Sequence, residues 1–438
     1  MSQIDRESME YDVVIVGGGP AGLSAAIRLK QLDPDLNVVL LEKGSEVGAH
    51  ILSGAVLDPS GLDALLPDWR QMDAPIKTEV TEDNFYILGP AGQVRIPNWP
   101  MPPLMNNHGN YIVSMANVCR WMAGVAEGLG VEIFPGMSCS ELVYEGDRVV
   151  GVVAGEFGRD AETGEPGPNY EPGMELRGKY VFLAEGVRGS LSKEVIAKYD
   201  LSKGHCPQKY GIGMKEIWEI DPAKHRLGTV THTMGWPLGS NAGGGSFIYH
   251  LENNQVYVGF VVHLNYQNPH LYPYMEFQRF KHHPMVAELL KGGKRVAYGA
   301  RAISEGGWQS IPKMVAPGVA LTMLAAAPDA PLSSAAPVLA VGMMAAGMIA
   351  GAAAGRLWTG ISLALLTGSE FVQTPQLIYD KYIQGTLQGG LMNASFFASF
   401  YADWGMTGVV AGSVLVALTL SFAQTTFNQY TNSSLGGA

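Results

Sequence analysis

Tyr11–Leu32 reads YDVVIVGGGPAGLSAAIRLKQL. Tyr11–Val16 is a short β-branched run of the kind a parallel strand buried on both faces requires. It leads into Gly17-Gly18-Gly19-Pro20-Ala21-Gly22, which fits G-x-G-x-x-G, and then into a helical pattern with Leu23, Ile27 and Leu32 on related faces. A second apolar strand, Val38–Leu41, ends at Glu42, 20 residues beyond Gly22. In such a unit Gly17 permits the tight turn, Gly19 lets a pyrophosphate approach the backbone, and Gly22 allows helix and strand to pack closely. The helix N-terminus offers free N–H groups and the positive end of its dipole to phosphates. Glu42 is placed to accept hydrogen bonds from an adenosine ribose, and its charge would repel a 2′-phosphate, which disfavours NADP. Strand, glycines, helix, strand and acid in this order predict a dinucleotide-binding α/β domain.

Further along, Tyr180–Ser190 reads YVFLAEGVRGS, a strand broken by Glu185-Gly186. Flavoproteins of the glutathione-reductase type end a late strand in an acid-Gly pair that returns to the first sheet near the flavin. With the N-terminal fingerprint, this favours FAD as the dinucleotide.

The rest of the composition bounds the alternatives. Of 438 residues 47% are hydrophobic, so the chain can bury a large core. The net charge of −11 argues against nucleic acid as a partner, which needs a basic stripe. Cys119, Cys139 and Cys206 are scattered, with no C-x-x-C, so neither a disulfide framework nor a metal site is expected and the compartment reads as reducing. The start, MSQIDRESMEYD, shows no export or organelle-targeting pattern. Charge is uneven: Val315–Ala438 holds only Asp329, Arg356, Glu370, Asp380, Lys381 and Asp403. Within that apolar tail, Ala335–Ala354 reads as a small-residue buried helix, while Met406–Ala423 suits a span, a monotopic insertion or a buried helix equally.

The middle of the chain carries longer signatures. Gly48–Trp69 (GAHILSGAVLDPSGLDALLPDW), Asn106–Val113, Tyr210–Ile220 (YGIGMKEIWEI), His232–Leu238, Gly243–Glu252 (GGGSFIYHLE), Tyr266–Pro284 and Gly292–Lys313 closely resemble the electron transfer flavoprotein–ubiquinone oxidoreductase family. The match runs from about Tyr11 to Lys313. The resemblance implies a glutathione-reductase-type FAD-binding fold with an inserted antiparallel-sheet quinone domain. It implies a monotopic membrane enzyme that passes electrons from reduced electron transfer flavoprotein through FAD to ubiquinone. The location implied is the cytoplasmic face of a bacterial inner membrane, or the mitochondrial equivalent.

The cofactor-binding set it implies is Val16, Gly17, Gly18, Gly19, Pro20, Ala21, Gly22, Glu42, Lys43, Ser53, Gly54, Glu185 and Gly186. Gly244 and Gly245 match the pair that contacts the quinone head group, and glycine suits that task because the backbone of a residue without Cβ can approach a planar ring. No catalytic acid, base or nucleophile is expected. The family dips the segment matching 47–69 into the bilayer, so Ile51, Leu52, Val56, Leu57, Leu62, Leu65, Leu66 and Trp69 are expected to form a membrane-facing surface. Expected FAD parts are 1–70, 106–205 and a degenerate 291–355, expected quinone parts are 71–105 and 206–290, and 356–438 is an apolar tail.

Other conspicuous residues read as structural. His282-His283 is expected at the surface, Glu305–Trp308 as a turn beside the flavin domain, and Arg120 either near the flavin or on a solvated helix face.

After Lys313 the resemblance decays. Pro317-Gly318 and Gly342–Ala346 keep the family's pattern, and Asp329 is the one polar group between them that matches a position near the ribityl chain. The family's cluster ligands are cysteines in a C-terminal domain, and this chain has none after Cys206. A cubane cluster uses four thiolates, so no iron–sulfur cluster is expected. Two rivals to the flavoprotein–quinone reading remain: a geranylgeranyl-reductase-type FAD oxidoreductase acting on an isoprenoid lipid, and a non-catalytic remnant without flavin.

Overall fold

The strand–glycine–helix–strand pattern folds as its spacing predicts. In the computed structural model, which describes residues 6–51, 54–99, 105–160, 162–239 and 241–322, β1 (Ser8–Val16) runs into α1 (Pro20–Leu32) and on to β2 (Val38–Glu42). β1 and β2 pair in parallel from Val13 opposite Val38 to Val16 opposite Leu41. Val14, Ile15, Val38, Val39 and Leu40 are wholly buried, as strands covered on both faces must be.

The chain then forms β3 (Ala55–Leu57), α2 (Ser60–Leu65), β4 (Thr78–Glu79), β5 (Glu82–Leu88), β6 (Gln93–Ile96) and β7 (Tyr111–Val113). Strands β3, β7 and β4 make a small antiparallel sheet. Helix α3 (Met115–Gly128) is capped by Ser114, whose Oγ accepts from the Asn117 N–H at 3.4 Å, and it leads into β8 (Glu132–Pro135). Next come β9 (Cys139–Glu145), β10 (Arg148–Ala154), the hairpin β11 (Phe157–Arg159) and β12 (Pro166–Glu171), then β13 (Met174–Leu183) and α4 (Ser190–Lys198).

The quinone-like segments build a second large sheet from β14 (Tyr210–Glu219), β15 (Thr229–Gly235), β16 (Gly244–His250) and β17 (Gln255–His263). After α5 (Pro273–Lys281) and α6 (Pro284–Leu290), β18 (Lys294–Ser304) closes it, and β19 (Val315–Ala316) and β20 (Val319–Leu321) return to the first sheet. The first sheet has the order β19-β20-β13-β1-β2-β8, parallel from β20 to β8, with β10 and β9 added antiparallel beside β13. The second has the order β18-β14-β17-β16-β15-β5-β6, antiparallel except where β15 runs beside β5.

Several expectations differ from the fold. Among the described residues of 47–69 the expected apolar surface is turned inward: Leu57, Leu62, Leu65, Leu66 and Trp69 are buried in one core with Leu23 and Ile27 of α1 and Val118 and Met122 of α3. Val56 is buried against the second sheet beside Tyr249 and Tyr257, and Ile51 is partly buried. Spacing that presents apolar residues on one side suits a core as well as a membrane, and here the core takes them; Leu52 lies outside the described residues. The boundary at 290/291 also moves, because β18 pairs with β14 along its whole length, Tyr210 opposite Ser304 and Glu219 opposite Lys294. The second sheet therefore extends to Ser304.

His283 differs too. It is fully buried, where its Nδ1 accepts from the Met285 N–H and caps α6, while His282 is exposed. Instead of a simple turn, Glu305–Gly307 is irregular, with Gly307 at φ 73°, and leads into a 3-10 helix at Trp308–Ser310. Among the described residues no helix is long and apolar enough to cross a membrane. Ala335–Ala354, Met406–Ala423, Asp329 and Gly342–Ala346 lie outside the described residues.

Candidate functional site

At the carboxyl ends of β1 and β13 the glycine turn meets the late strand. Gly17 adopts φ 113°, and a Cβ there would overlap the Ala184 carbonyl oxygen. Its N–H donates to Leu41 O at 2.8 Å, and the Ala184 N–H donates to Val16 O at 2.7 Å, so the turn is stitched to both neighbouring strands. A Cβ on Gly22 would overlap the Gly17 carbonyl, which is the close helix–strand approach the motif requires. Val16, Gly18, Pro20, Ala21 and Gly22 are all buried.

Gly19 is different. A Cβ there meets nothing within 4 Å, and as N-cap of α1 it makes no side-chain capping bond. The first turn of α1 therefore presents uncapped N–H groups beside open space, which is what an approaching pyrophosphate needs.

Glu42, at the end of β2, holds the turn from the other side. Its Oε2 accepts from the Gly18 N–H at 2.9 Å and its Oε1 from the Gly44 N–H at 2.7 Å. Each carboxylate oxygen has a second lone pair, so a ribose hydroxyl can still be accepted. These residues fit a dinucleotide. Lys43 is exposed beside Glu42, and Ser53 lies outside the described residues.

The remaining members of the expected set have other partners. Glu185 turns its carboxylate onto the start of α4: Oε2 accepts from both the N–H and the hydroxyl of Ser192 at 2.7 Å, and Oε1 accepts from the Leu191 N–H at 3.3 Å. It acts as a helix cap, and Gly186, at φ 79°, makes the turn that permits it. Gly54 marks the contact with the second sheet, since a Cβ there would stand 2.6 Å from the Tyr257 ring. Arg120 is paired with Glu46 Oε1 at 2.7 Å on an exposed helix face.

Lys215 is absent from the expected set and stands at this contact. It is buried on β14, donates to the Gly54 carbonyl, and lies 5.1 Å from the Phe247 ring centroid. Burial alone pushes its amine down to about 7. The signal was a Lys-Glu pair between the apolar residues of YGIGMKEIWEI.

In the second sheet Gly244 and Gly245 open β16. Gly244 adopts φ 150°, and a Cβ there would overlap the Val261 carbonyl; a Cβ on Gly245 would stand 2.7 Å from Thr233 O. Both pair with β17, opposite Val262 and Val261. On the other side, the β15–β16 ladder ends with Thr233 opposite Ser246, one residue short of Gly245. Two glycines thus stand where the ladder opens.

Among the described residues no three potential metal ligands converge. Cys119 is buried on α3 and Cys139 is partly buried at the start of β9, with burial pushing both thiols up, Cys139 to about 12; Cys206 is exposed.

Comparison with known proteins agrees with this division of the chain. Residues 15–67 match the NAD(P)-binding Rossmann-like domain family, and residues 210–303 match the family described as ETF-QO, ubiquinone-binding. The electron transfer flavoprotein-ubiquinone oxidoreductase of Pseudomonas aeruginosa is 56% identical over 324 residues, 73% of this chain and 59% of that protein. The mitochondrial enzyme of that name from Oryza sativa is 51% identical over 323 residues, 72% of this chain and 55% of its own length. The chain thus spans less than three fifths of these relatives. A geranylgeranyl bacteriochlorophyll reductase-like protein of Thermoplasma acidophilum shares the fold at TM-score 0.54 and 18% identity, over 90% of this chain and 87% of that one. A flavoprotein/dehydrogenase of Cytophaga hutchinsonii does so at TM-score 0.51 and 15% identity, over 90% of this chain and 92% of that one.

Proposed function

Taking this chain, over its first three quarters, as a relative of the electron transfer flavoprotein–ubiquinone oxidoreductases, we propose that it is a membrane-associated FAD-dependent oxidoreductase that accepts electrons from reduced electron transfer flavoprotein and delivers them to ubiquinone. The observation that carries the reading is the glycine pair Gly244–Gly245 at the open end of the β15–β16 ladder, inside the stretch that matches a ubiquinone-binding family. A planar head group fits against backbone that has no Cβ and has left the ladder.

FAD belongs in the cradle of Val16–Gly22 and Glu42, with Lys43, Gly54, Glu185 and Gly186 around it; Ser53 is assigned to the same set by the family resemblance. When bound, it supplies reversible storage of electrons. The chain's own residues bind and orient. The N–H groups of α1 receive the pyrophosphate, Glu42 holds the glycine turn in shape and receives the ribose, and Glu185 fixes the turn at Gly186 by capping α4. Lys215, donating to the Gly54 carbonyl, ties this loop to the second sheet. The FAD-binding parts are 1–70, 106–205 and 305–355, the quinone parts are 71–105 and 206–304, and 356–438 is an apolar tail of unassigned role.

Cys119, Cys139 and Cys206 do not fit a four-thiolate cluster. We therefore assign no iron–sulfur cluster to this chain, and no electron step is derived through one. Membrane association falls to the apolar tail 356–438, at the cytoplasmic face of a bacterial inner membrane.

The test is anaerobic photoreduction of the purified full chain, followed by mixing with a short-chain ubiquinone. Reoxidation of the flavin bands with stoichiometric quinol is expected. A reduced flavin indifferent to ubiquinone would sink the reading.

A further inference from the structure

Four neighbouring strands of the second sheet, β18, β14, β17 and β16, bring their ends together beside Gly243–Gly245. Three ionisable side chains from remote parts of the sequence meet there: Lys209 just before β14, His263 at the end of β17 and Glu305 just after β18. Lys209 Nζ stands 2.9 Å from His263 Nδ1, and His263 Nε2 stands 3.3 Å from Glu305 Oε2. An ammonium can only donate, so Nδ1 is the acceptor and the ring proton is on Nε2, facing the carboxylate.

The backbone is shaped around this trio. A Cβ on Gly243 would overlap His263 Nδ1, and a Cβ on Gly211 would overlap Glu305 Oε1. The His263 N–H donates to Gly243 O at 3.0 Å, which ties the trio to the residue before Gly244.

We propose that Lys209, His263 and Glu305 supply the protons for a quinone reduced against Gly244–Gly245. The proposal rests on the quinone reading above. Converting a quinone to a quinol turns two carbonyls into two hydroxyls, which takes two electrons and two protons. The electrons come from the redox cofactor of that reading. For each proton an N–H bond of Lys209 or His263, or the O–H bond of protonated Glu305, breaks and an O–H bond forms on the quinone. Water then reloads the trio, which is reachable because the His263 side chain is 30% exposed and that of Glu305 14%.

The electrostatics favour this role. Burial pushes the Glu305 carboxyl up to about 7, against the opposing pull of Lys209, so it exchanges a proton near neutral pH. Burial, with Lys209 adding to it, lowers His263. Glu305 Oε2 is buried without a well-formed hydrogen bond, an acceptor kept open beside the ring. Of the other charged groups nearby, Arg188 lies over the Tyr210 ring at 5.8 Å, Arg301 on β18 donates to the His50 carbonyl, Lys215 on β14 donates to the Gly54 carbonyl, and Glu216 accepts from Lys281 and Arg295.

The experiment compares the full-length chain with Glu305→Gln and His263→Gln, each photoreduced and mixed either with a short-chain ubiquinone or with ferricenium, which accepts an electron and no proton. Binding of a non-reducible quinone analogue is measured alongside. A positioned proton donor contributes at least about 100-fold, so ubiquinone reduction should fall at least tenfold in His263→Gln. In Glu305→Gln the dependence of the rate on pH around 7 should flatten. Ferricenium reduction and analogue affinity should stay within twofold in both. Parallel loss with both acceptors, or an unchanged pH profile with undiminished ubiquinone rates, would overturn the proposal while leaving the quinone reading intact. Failure of the unsubstituted chain to bind the analogue would overturn both.

Discussion

In the first sheet the central segments Val13–Val16, Val38–Leu41 and Val181–Leu183 carry no ionisable side chain, whereas β14 of the second sheet buries Lys215 and Glu216 side by side. In the proposed reading the first sheet would hold its dinucleotide with backbone: glycines that permit close approach, uncapped N–H groups at α1, and two carboxylates that brace turns. The second uses side chains. Lys215 reaches the Gly54 carbonyl on one side, while Glu216 receives Lys281 Nζ at 2.8 Å, Arg295 Nη1 at 3.1 Å and Trp218 Nε1 at 2.8 Å. Binding a dinucleotide needs a fixed shape, and backbone supplies it. Charge and protons at a reducible ring need groups that titrate, and only side chains supply those.

The largest effect should come from violating the backbone cradle. Gly22→Val would force a Cβ into the Gly17 carbonyl, and we expect little folded, flavin-bearing protein. By contrast Gly19→Ala enters open space; it should leave thermal stability within about 1 kcal/mol while weakening flavin retention at least tenfold, because only the ligand needs that gap. Equal losses of stability in the two variants, read by melting and bound flavin, would remove the distinction between a packing glycine and a ligand glycine.

Glu216→Ala tests the side-chain half. It strands Lys281, whose side chain is 13% exposed, and should cost about 3–5 kcal/mol in denaturant unfolding. A loss under about 1 kcal/mol would show that the network is ornamental.

Lys215→Met should move the other way, by a smaller amount. The unfolded lysine holds its proton to above pH 10, while the buried one gives it up near 7. Between those values the unfolded state binds more protons, so the native chain gains stability as pH rises. At pH 7 the substitution should therefore stabilise the chain by about 1–3 kcal/mol after the lost bond to Gly54 is counted, and the advantage should shrink toward pH 10. An advantage that does not depend on pH would contradict a buried, titrating amine.

What could be read from the sequence follows the same division. The β1–α1–β2 unit was legible because its glycines, helix and acid are contiguous and each has a local backbone reason. The long family signatures placed the second sheet. The role of Glu185 was not legible, since it caps a helix that begins five residues later. Leu57, Leu62 and Leu65 have the spacing of a membrane-facing surface and of a core helix alike, and only packing against α1 and α3 separates the two. His283 looked like surface because nothing in the pair HH marks one member as a buried cap. Lys209, His263 and Glu305 meet only through the register of strand ends far apart in the chain.

On this reading the Gly17–Gly22 cradle holds a flavin. The visible spectrum of the purified full chain tests it most directly. Flavin bands that are released on denaturation, without the broad absorption of an iron–sulfur cluster, are the predicted result; a colourless protein that takes up no added FAD would contradict the account.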